Sequence, residues 1–185
     1  MKPRARVATI CRALWLSAVL GAGLMGGARA DLGDDFENEE WKEQAAALPP
    51  FPKPEDLIQA QIGARYAFSF FIDQQSIDLG KDGVVRYTVV ARSPAGAESI
   101  SFEGIRCSTR ESKVYAIGGT AKTWTQPRKL EWADISSRQS YPYRAILADR
   151  YFCPEHRPVT SKRSLIWDLK NGTGQGFNPE PTMRY

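Results

Sequence analysis

The sequence predicts an α+β fold: an antiparallel β-meander of four to six strands, one or two C-terminal helices packed on one face, and one disulfide. Three observations carry this. Residues 83–107 read as two long strands joined by a Ser-Pro-Ala-Gly turn. Shorter segments rich in β-branched and aromatic residues flank that ribbon on both sides. Only beyond residue 140 does the apolar spacing change to a helical period.

The first ribbon strand, residues 84–92, is VVRYTVVAR. Such residues suit a pleated, half-buried surface. Side chains alternate faces along a strand, so Val85, Tyr87, Val89 and Ala91 share the face expected to meet the core. Val84, Arg86, Thr88, Val90 and Arg92 share the other, more polar face. Asp82-Gly83 is a hairpin signal, and Ser93-Pro94-Ala95-Gly96 is a turn with Pro pre-set at its first central position. The return strand does not alternate cleanly. Ile100 and Phe102 lie on one face, Ile105 and Cys107 on the other, with Gly104 between. A β-bulge at Glu103-Gly104 would bring all four onto one face; a sheet covered on both faces is the alternative.

Residues 66–73 form the preceding strand, with Phe68, Phe70 and Ile72 on one face. Residues 76–79 read as a separate short strand folding back through 80–83 into the ribbon, and residues 56–58 as an edge. Residues 113–117 follow the ribbon as a further strand, ended by Gly118-Gly119. In residues 141–153, Tyr143, Ile146, Leu147, Arg150 and Cys153 fall near one helical stripe. Pro142 suits a first turn and Pro154 a stop. A second helix over 161–170 points Leu165, Ile166 and Leu169 inward and ends at Asn171-Gly172.

The N-terminus reads as an export signal. Lys2, Arg4 and Arg6 precede an apolar run from Ala13 to Met25, and Ala28-Arg29-Ala30 fits cleavage after Ala30. The run is too short for a spanning helix, and no other stretch approaches the length required. The position directly after the cleavage site is Asp31 rather than cysteine, so the chain is expected in the periplasm without a lipid anchor. Residues 1–30 hold five of the 25 Lys/Arg and none of the 21 Asp/Glu; the remainder has 20 bases and 21 acids, net −1. The basic balance of the full chain therefore belongs to the leader, and nucleic acid is not an expected partner. The division expected is 1–30 signal peptide, 31–54 acidic segment and Pro-rich linker, 55–170 α+β domain, and 171–185 flexible tail. Residues 31–43 carry seven acids and one lysine. They read as a solvated terminus or as a segment lying across the domain, with Phe36 and Trp41 as anchors. Residues 49–54, PPFPKP, read as an extended spacer.

Few residues suggest chemistry. Cys107 and Cys153 remain after the leader and, in an exported protein, are expected to pair as a structural staple rather than a redox couple. His156, the sole histidine, has no companion for a triad or a zinc site. Asp73, Asp78 and Asp82 lie at strand ends, where acids are ordinarily turn formers. Trp124, Trp132, Tyr141 and Tyr143 gather in sequence around a polar segment and offer a possible binding surface, with packing beneath a loop as the other reading. No catalytic residue, metal ligand or cofactor motif is expected.

Three stretches carry a resemblance: WKEQAAALPPFPKPEDLI, FFIDQQSIDLGKDGVVRYTVVARSPAGAESISFEGIRC and YFCPEHRPV. They resemble the cryptic-neisserial-protein-like family of secreted proteobacterial proteins, over about residues 36–170. That resemblance implies a periplasmic location and brings no catalytic residues to carry over. A weaker similarity is to surface-adhesin protein E type domains, matched at Ile72-Asp73, Ser76-Ile77, Glu131-Trp132 and Cys153. It implies an antiparallel sheet backed by helix with a Cys107–Cys153 disulfide. The expected function is a non-catalytic binding or envelope-support module whose partner is an envelope protein or a small ligand. A secreted adhesin, and a small hydrolase using carboxylates near Asp73 and Asp78, are the alternatives.

Mass spectrometry of the exported chain is expected to find Asp31 at its N-terminus. A chain that stays in the cytoplasm with residues 1–30 attached would contradict the leader assignment.

Overall fold

The computed structural model describes residues 40–63, 66–135 and 142–174. The leader with its cleavage position, Phe36, Tyr141 and most of the tail lie outside the described residues. Seven strands form one antiparallel sheet: β1 (Leu57–Ala60), β2 (Ser69–Leu79), β3 (Val84–Arg92), β4 (Glu98–Arg106), β5 (Glu111–Gly118) and the two-residue β6 (Trp124–Thr125) and β7 (Ala133–Asp134). The first five form a meander in chain order, while β6 and β7 pair with opposite ends of β5. Helix α1 (Pro142–Leu147) continues into a π-helical turn (Ala148–Phe152), and α2 (Lys162–Asn171) closes the fold.

Alternation along β3 sets the core. Val85, Tyr87 and Val89 join Ile58, Phe70, Ile72, Ile105 and Cys107 under Leu147, Phe152, Leu165 and Leu169, with Ala91 packed at the margin. Helix α2 has the ends its sequence announces. Ser161 Oγ accepts from the Ser164 N–H (3.3 Å), and Gly172 takes the left-handed conformation (φ 67°) that stops the helix.

The second face differs from the expectation. Val84, Arg86, Thr88 and Val90 are as buried as the core face, none more than 2% exposed. The cover comes from residues 40–53, which lie against the sheet without forming a strand. The Trp41 indole N–H donates to Asp82 O (2.7 Å), and its ring lies 3.8 Å from the Arg106 guanidinium carbon. Glu43 accepts from Lys113 Nζ (2.8 Å) and the Trp132 indole N–H (3.1 Å). Pro49 O accepts from the Trp124 indole N–H (2.8 Å), and Phe51 packs on the same ring. Of the two readings of the acidic segment, the described part follows the one that lies across the domain. The Pro-rich residues act as a strap seated on the sheet, not as a free spacer.

The bulge expected at Glu103-Gly104 is absent. β3 and β4 pair without interruption from Val84↔Arg106 to Arg92↔Glu98. The register shift lies across from it in β5, where Tyr115 is the extra residue between the pairs Phe102↔Ala116 and Glu103↔Val114. With both faces covered, Ile100 and Phe102 need not turn to join Ile105 and Cys107. Gly104 has another reason: a Cβ there would sit 2.8 Å from Tyr115 Cε2, so the glycine makes room for the ring laid over the strand. A second correction concerns residues 76–79. They are not a separate strand but continue 69–73 in one strand, with an irregularity between Asp73 and Asp78; the fold-back through 80–83 into β3 is as expected.

The disulfide Cys107–Cys153 joins the end of β4 to the end of the helical run, with Cα atoms 5.2 Å apart and both cysteines buried. The ion pair Arg110–Asp149 fastens the same two regions at the surface. The bond closes a sequence separation of 46 residues, a loop that the chain-entropy model values at about 4 kcal/mol. A Cys107→Ala/Cys153→Ala variant is expected to lose roughly that much stability by urea denaturation; an unchanged midpoint would contradict the staple.

Candidate functional site

The helix face carries one buried charge. Glu103 is in register with Tyr87, so alternation turns its carboxylate toward the helices in place of an apolar side chain. It is 1% exposed. Five contacts satisfy it. Oε1 accepts from Ser101 Oγ (2.7 Å), Tyr143 Oη (2.8 Å) and Arg144 Nη2 (2.6 Å). Oε2 accepts from Tyr87 Oη (3.1 Å) and Arg144 Nε (2.8 Å). Helix α1 supplies two of these partners from adjacent positions, and Phe70 stacks on Tyr143 with ring centroids 4.5 Å apart. The network therefore fixes where α1 meets the sheet.

Burial alone would push the Glu103 carboxyl up. The hydrogen bonds and charge of Arg144, with the Ser101 and Tyr143 hydroxyls, more than reverse this and hold it below the usual carboxylate range. Burial, then the neighbouring Glu103 charge, pushes both Tyr87 and Tyr143 well above the ordinary phenol range, so they remain donors. Arg144 is held charged: hydrogen bonds and charge from Glu103 overcome the effect of burial.

Beside this network the helices leave part of the sheet uncovered. A groove of about 440 Å³ is lined by Tyr66, Phe68, Phe70, Val89, Ala91 and Ile117 among other apolar residues, with Ser99, Ser101, Glu103, Tyr143 and Arg144 also on its wall. Phe68 is 49% and Ile117 42% exposed, so the groove gathers two of the large apolar side chains that the fold leaves open. Every oxygen of Glu103 is engaged by the protein itself, which leaves apolar surface as the main thing the groove offers.

The expected aromatic surface divides. Trp124 and Trp132 are on the other side of the sheet and hold the strap, while Tyr143 borders the groove. Tyr141 is outside the described residues. The acids divide too: Asp78 and Asp82 both meet Arg86, while Asp73 has other partners. Asp73 is buried and accepts from the Gln75 N–H (3.0 Å); burial, reinforced by the Asp56 charge, pushes its carboxyl up. The Asp78 side chain is 66% exposed and lies 3.9 Å from Arg86 Nη1. Asp82 is paired with Arg86 at 2.5 Å, and its hydrogen bonds outweigh burial to hold its carboxyl down. His156 sits exposed in a short turn. Among the described residues, no group of three or more His, Cys, Asp or Glu could hold a metal ion, and no helix is long and apolar enough to cross a membrane.

Glu103 and Arg144 went unnoticed in the sequence. The signal was present: an acid on the same strand face as Ile105 and Cys107 is out of place unless a cation meets it. Reading Glu103-Gly104 as a bulge removed the acid from that face and hid the conflict.

The fold and its groove define a disulfide-stapled α+β module in which a seven-stranded antiparallel sheet lies between a helical layer and an N-terminal strap. The chain belongs to the CNP1-like family, whose description matches residues 36–170. It is similar to Cryptic neisserial protein 1 of Neisseria gonorrhoeae, 28% identical over 153 residues, with 74% of each chain covered. No solved structure matches it.

The depressed carboxyl of Glu103 gives a pH signature. A folded-state pKa below the unfolded value contributes stability above the unfolded pKa and loses it as pH falls through the folded one. Glu43 and Asp82 act in the same sense, while Asp73, shifted up, acts in the opposite one. Glu103→Gln is expected to cost about 3 kcal/mol at neutral pH, because Arg144 keeps a buried charge without its counter-ion. The variant should also lose less than the native chain on acidification below about pH 4. Parallel stability–pH curves for the two proteins would contradict this.

Proposed function

We propose that the chain is an exported, non-catalytic periplasmic binding module that takes a small, mostly apolar ligand in the groove beside Glu103. The observation that carries this reading is the groove itself. Its volume of about 440 Å³ falls within the range of roughly 300–1,000 Å³ typical of small-molecule sites. Apolar side chains line it, and a few polar groups stand at one part of the wall. Phe68 and Ile117 are the side chains a ligand would cover first.

The Glu103 network gives the groove a rigid wall. Tyr143 and Arg144 reach the groove from α1, and their bonds to a strand in the middle of the sheet hold that wall in place before any ligand arrives. Preorganised walls cut the ordering cost of binding. The charge itself is neutralised within the protein, so selection would rest on shape and apolar area rather than on a salt link to the ligand. The leader pattern in residues 1–30 supports the periplasmic part of this reading, and the buried disulfide fits an oxidising compartment.

Titration with the neutral apolar dye N-phenyl-1-naphthylamine tests the groove. The native chain is expected to bind one dye molecule saturably, and Phe68→Ser/Ile117→Ser to bind about tenfold or more weakly, with unchanged melting. Equal dye binding by both proteins would contradict the assignment. Native mass spectrometry of protein recovered from the periplasm would then identify what the groove carries.

A further inference from the structure

We propose that the outer face of α2 contacts the surface of an anionic lipid bilayer, with Trp167 at the headgroup level and Arg163 and Lys170 on the phosphates. This surface is separate from the groove and does not depend on its ligand.

The four tryptophans of the described residues have different surroundings. Trp41, Trp124 and Trp132 each donate the indole N–H to an oxygen of the protein and each packs against another ring. Trp167 does neither among the described residues, and at 58% it is the most exposed of the large hydrophobic side chains. Its place on the helix is specific. Leu165 and Leu169 are fully buried against the core, and the stripe opposite them is Arg163, Trp167 and Lys170, at i, i+4 and i+7. All three are exposed, and neither cation has a hydrogen-bond or ion-pair partner among the described residues. Lys162, by contrast, turns inward and donates to Gln75 O and Ile77 O. Asp168, the one acid of the helix, accepts from Thr173 Oγ1 (3.0 Å).

Size and charge decide the occupant. A stable protein interface buries on the order of 800 Å² per partner around an apolar centre; one indole between two cations is far smaller. A membrane surface requires less. Indole is favoured where one edge is apolar and the other wet, and Lys/Arg near an anionic leaflet gain attraction from the surface potential. A helix lying along its surface, with the two cations one turn to either side of the ring, would meet the headgroups at all three positions together. Contact of this kind is weak and reversible, and it would keep the groove close to a source of apolar ligands.

The test uses the chain from Asp31 to Tyr185 and sedimented vesicles of phosphatidylglycerol and phosphatidylcholine in equal parts. Binding is expected to these vesicles, to fall steeply with added salt, and to be absent for phosphatidylcholine alone. Arg163→Gln/Lys170→Gln is expected to bind about 25-fold more weakly, at about fivefold per cation. Brominated lipid should quench the fluorescence of the native chain but not of Trp167→Phe. All three positions are exposed, so each variant should melt at the native temperature. Failure to bind anionic vesicles at low ionic strength would overturn the proposal. So would undiminished binding by the double variant, quenching that persists in Trp167→Phe, or self-association through this face without lipid.

Discussion

A carboxylate buried at the centre of a sheet has to be met by the rest of the chain. Glu103 stands where an apolar side chain would have packed with no further requirement, and its neutralisation draws on three elements: Tyr87 from β3, Ser101 from its own strand, Tyr143 and Arg144 from α1. Buried ion pairs are poor sources of net stability, because desolvation offsets most of the attraction. What such a pair does is discriminate. A position of α1 that left the carboxylate unpaired would be costly, so the network selects one docking of the helix. The wall of the groove is the consequence.

The opposite face solves a different problem. Val84, Val90, Phe102 and Ala116 form a second apolar surface that the helices cannot reach. The strap covers it through aromatic and charged contacts instead of strand pairing. Trp41, Glu43, Pro49 and Phe51 each meet a side chain of the sheet, and Gln44 O accepts from Arg86 Nη2 (3.0 Å). The central strands are thus buried from both sides, with the disulfide anchoring the helical layer to the end of β4.

The ribbon, its turns and the second helix were legible because each rests on local chemistry: alternation in residues 84–92, Pro and Gly at the turns, Ser161 and Gly172 at the helix ends. The cysteine pair was legible because two cysteines remain after an export leader. What was missed depends on contacts distant in sequence. Gly104 looked like a bulge because nothing nearby reveals that Tyr115 lies over it. Trp124 and Trp132 looked like a binding surface because the strap that covers them lies more than 70 residues earlier. Glu103 and Arg144 are 41 residues apart, and a strand read in isolation gives no reason to look for its cation in a later helix. The groove is less legible still, since it is surface that no element among the described residues covers.

The account stands on the coupling between Glu103 and Arg144. A double-mutant cycle with Glu103→Gln, Arg144→Met and the pair, read by urea denaturation at neutral pH, measures it directly. The two single substitutions are expected to be far from additive, with an interaction energy of about 2 kcal/mol or more. Effects that add to within about 0.5 kcal/mol would mean that the two residues do not hold the helix to the sheet, and the preformed wall of the groove would go with them.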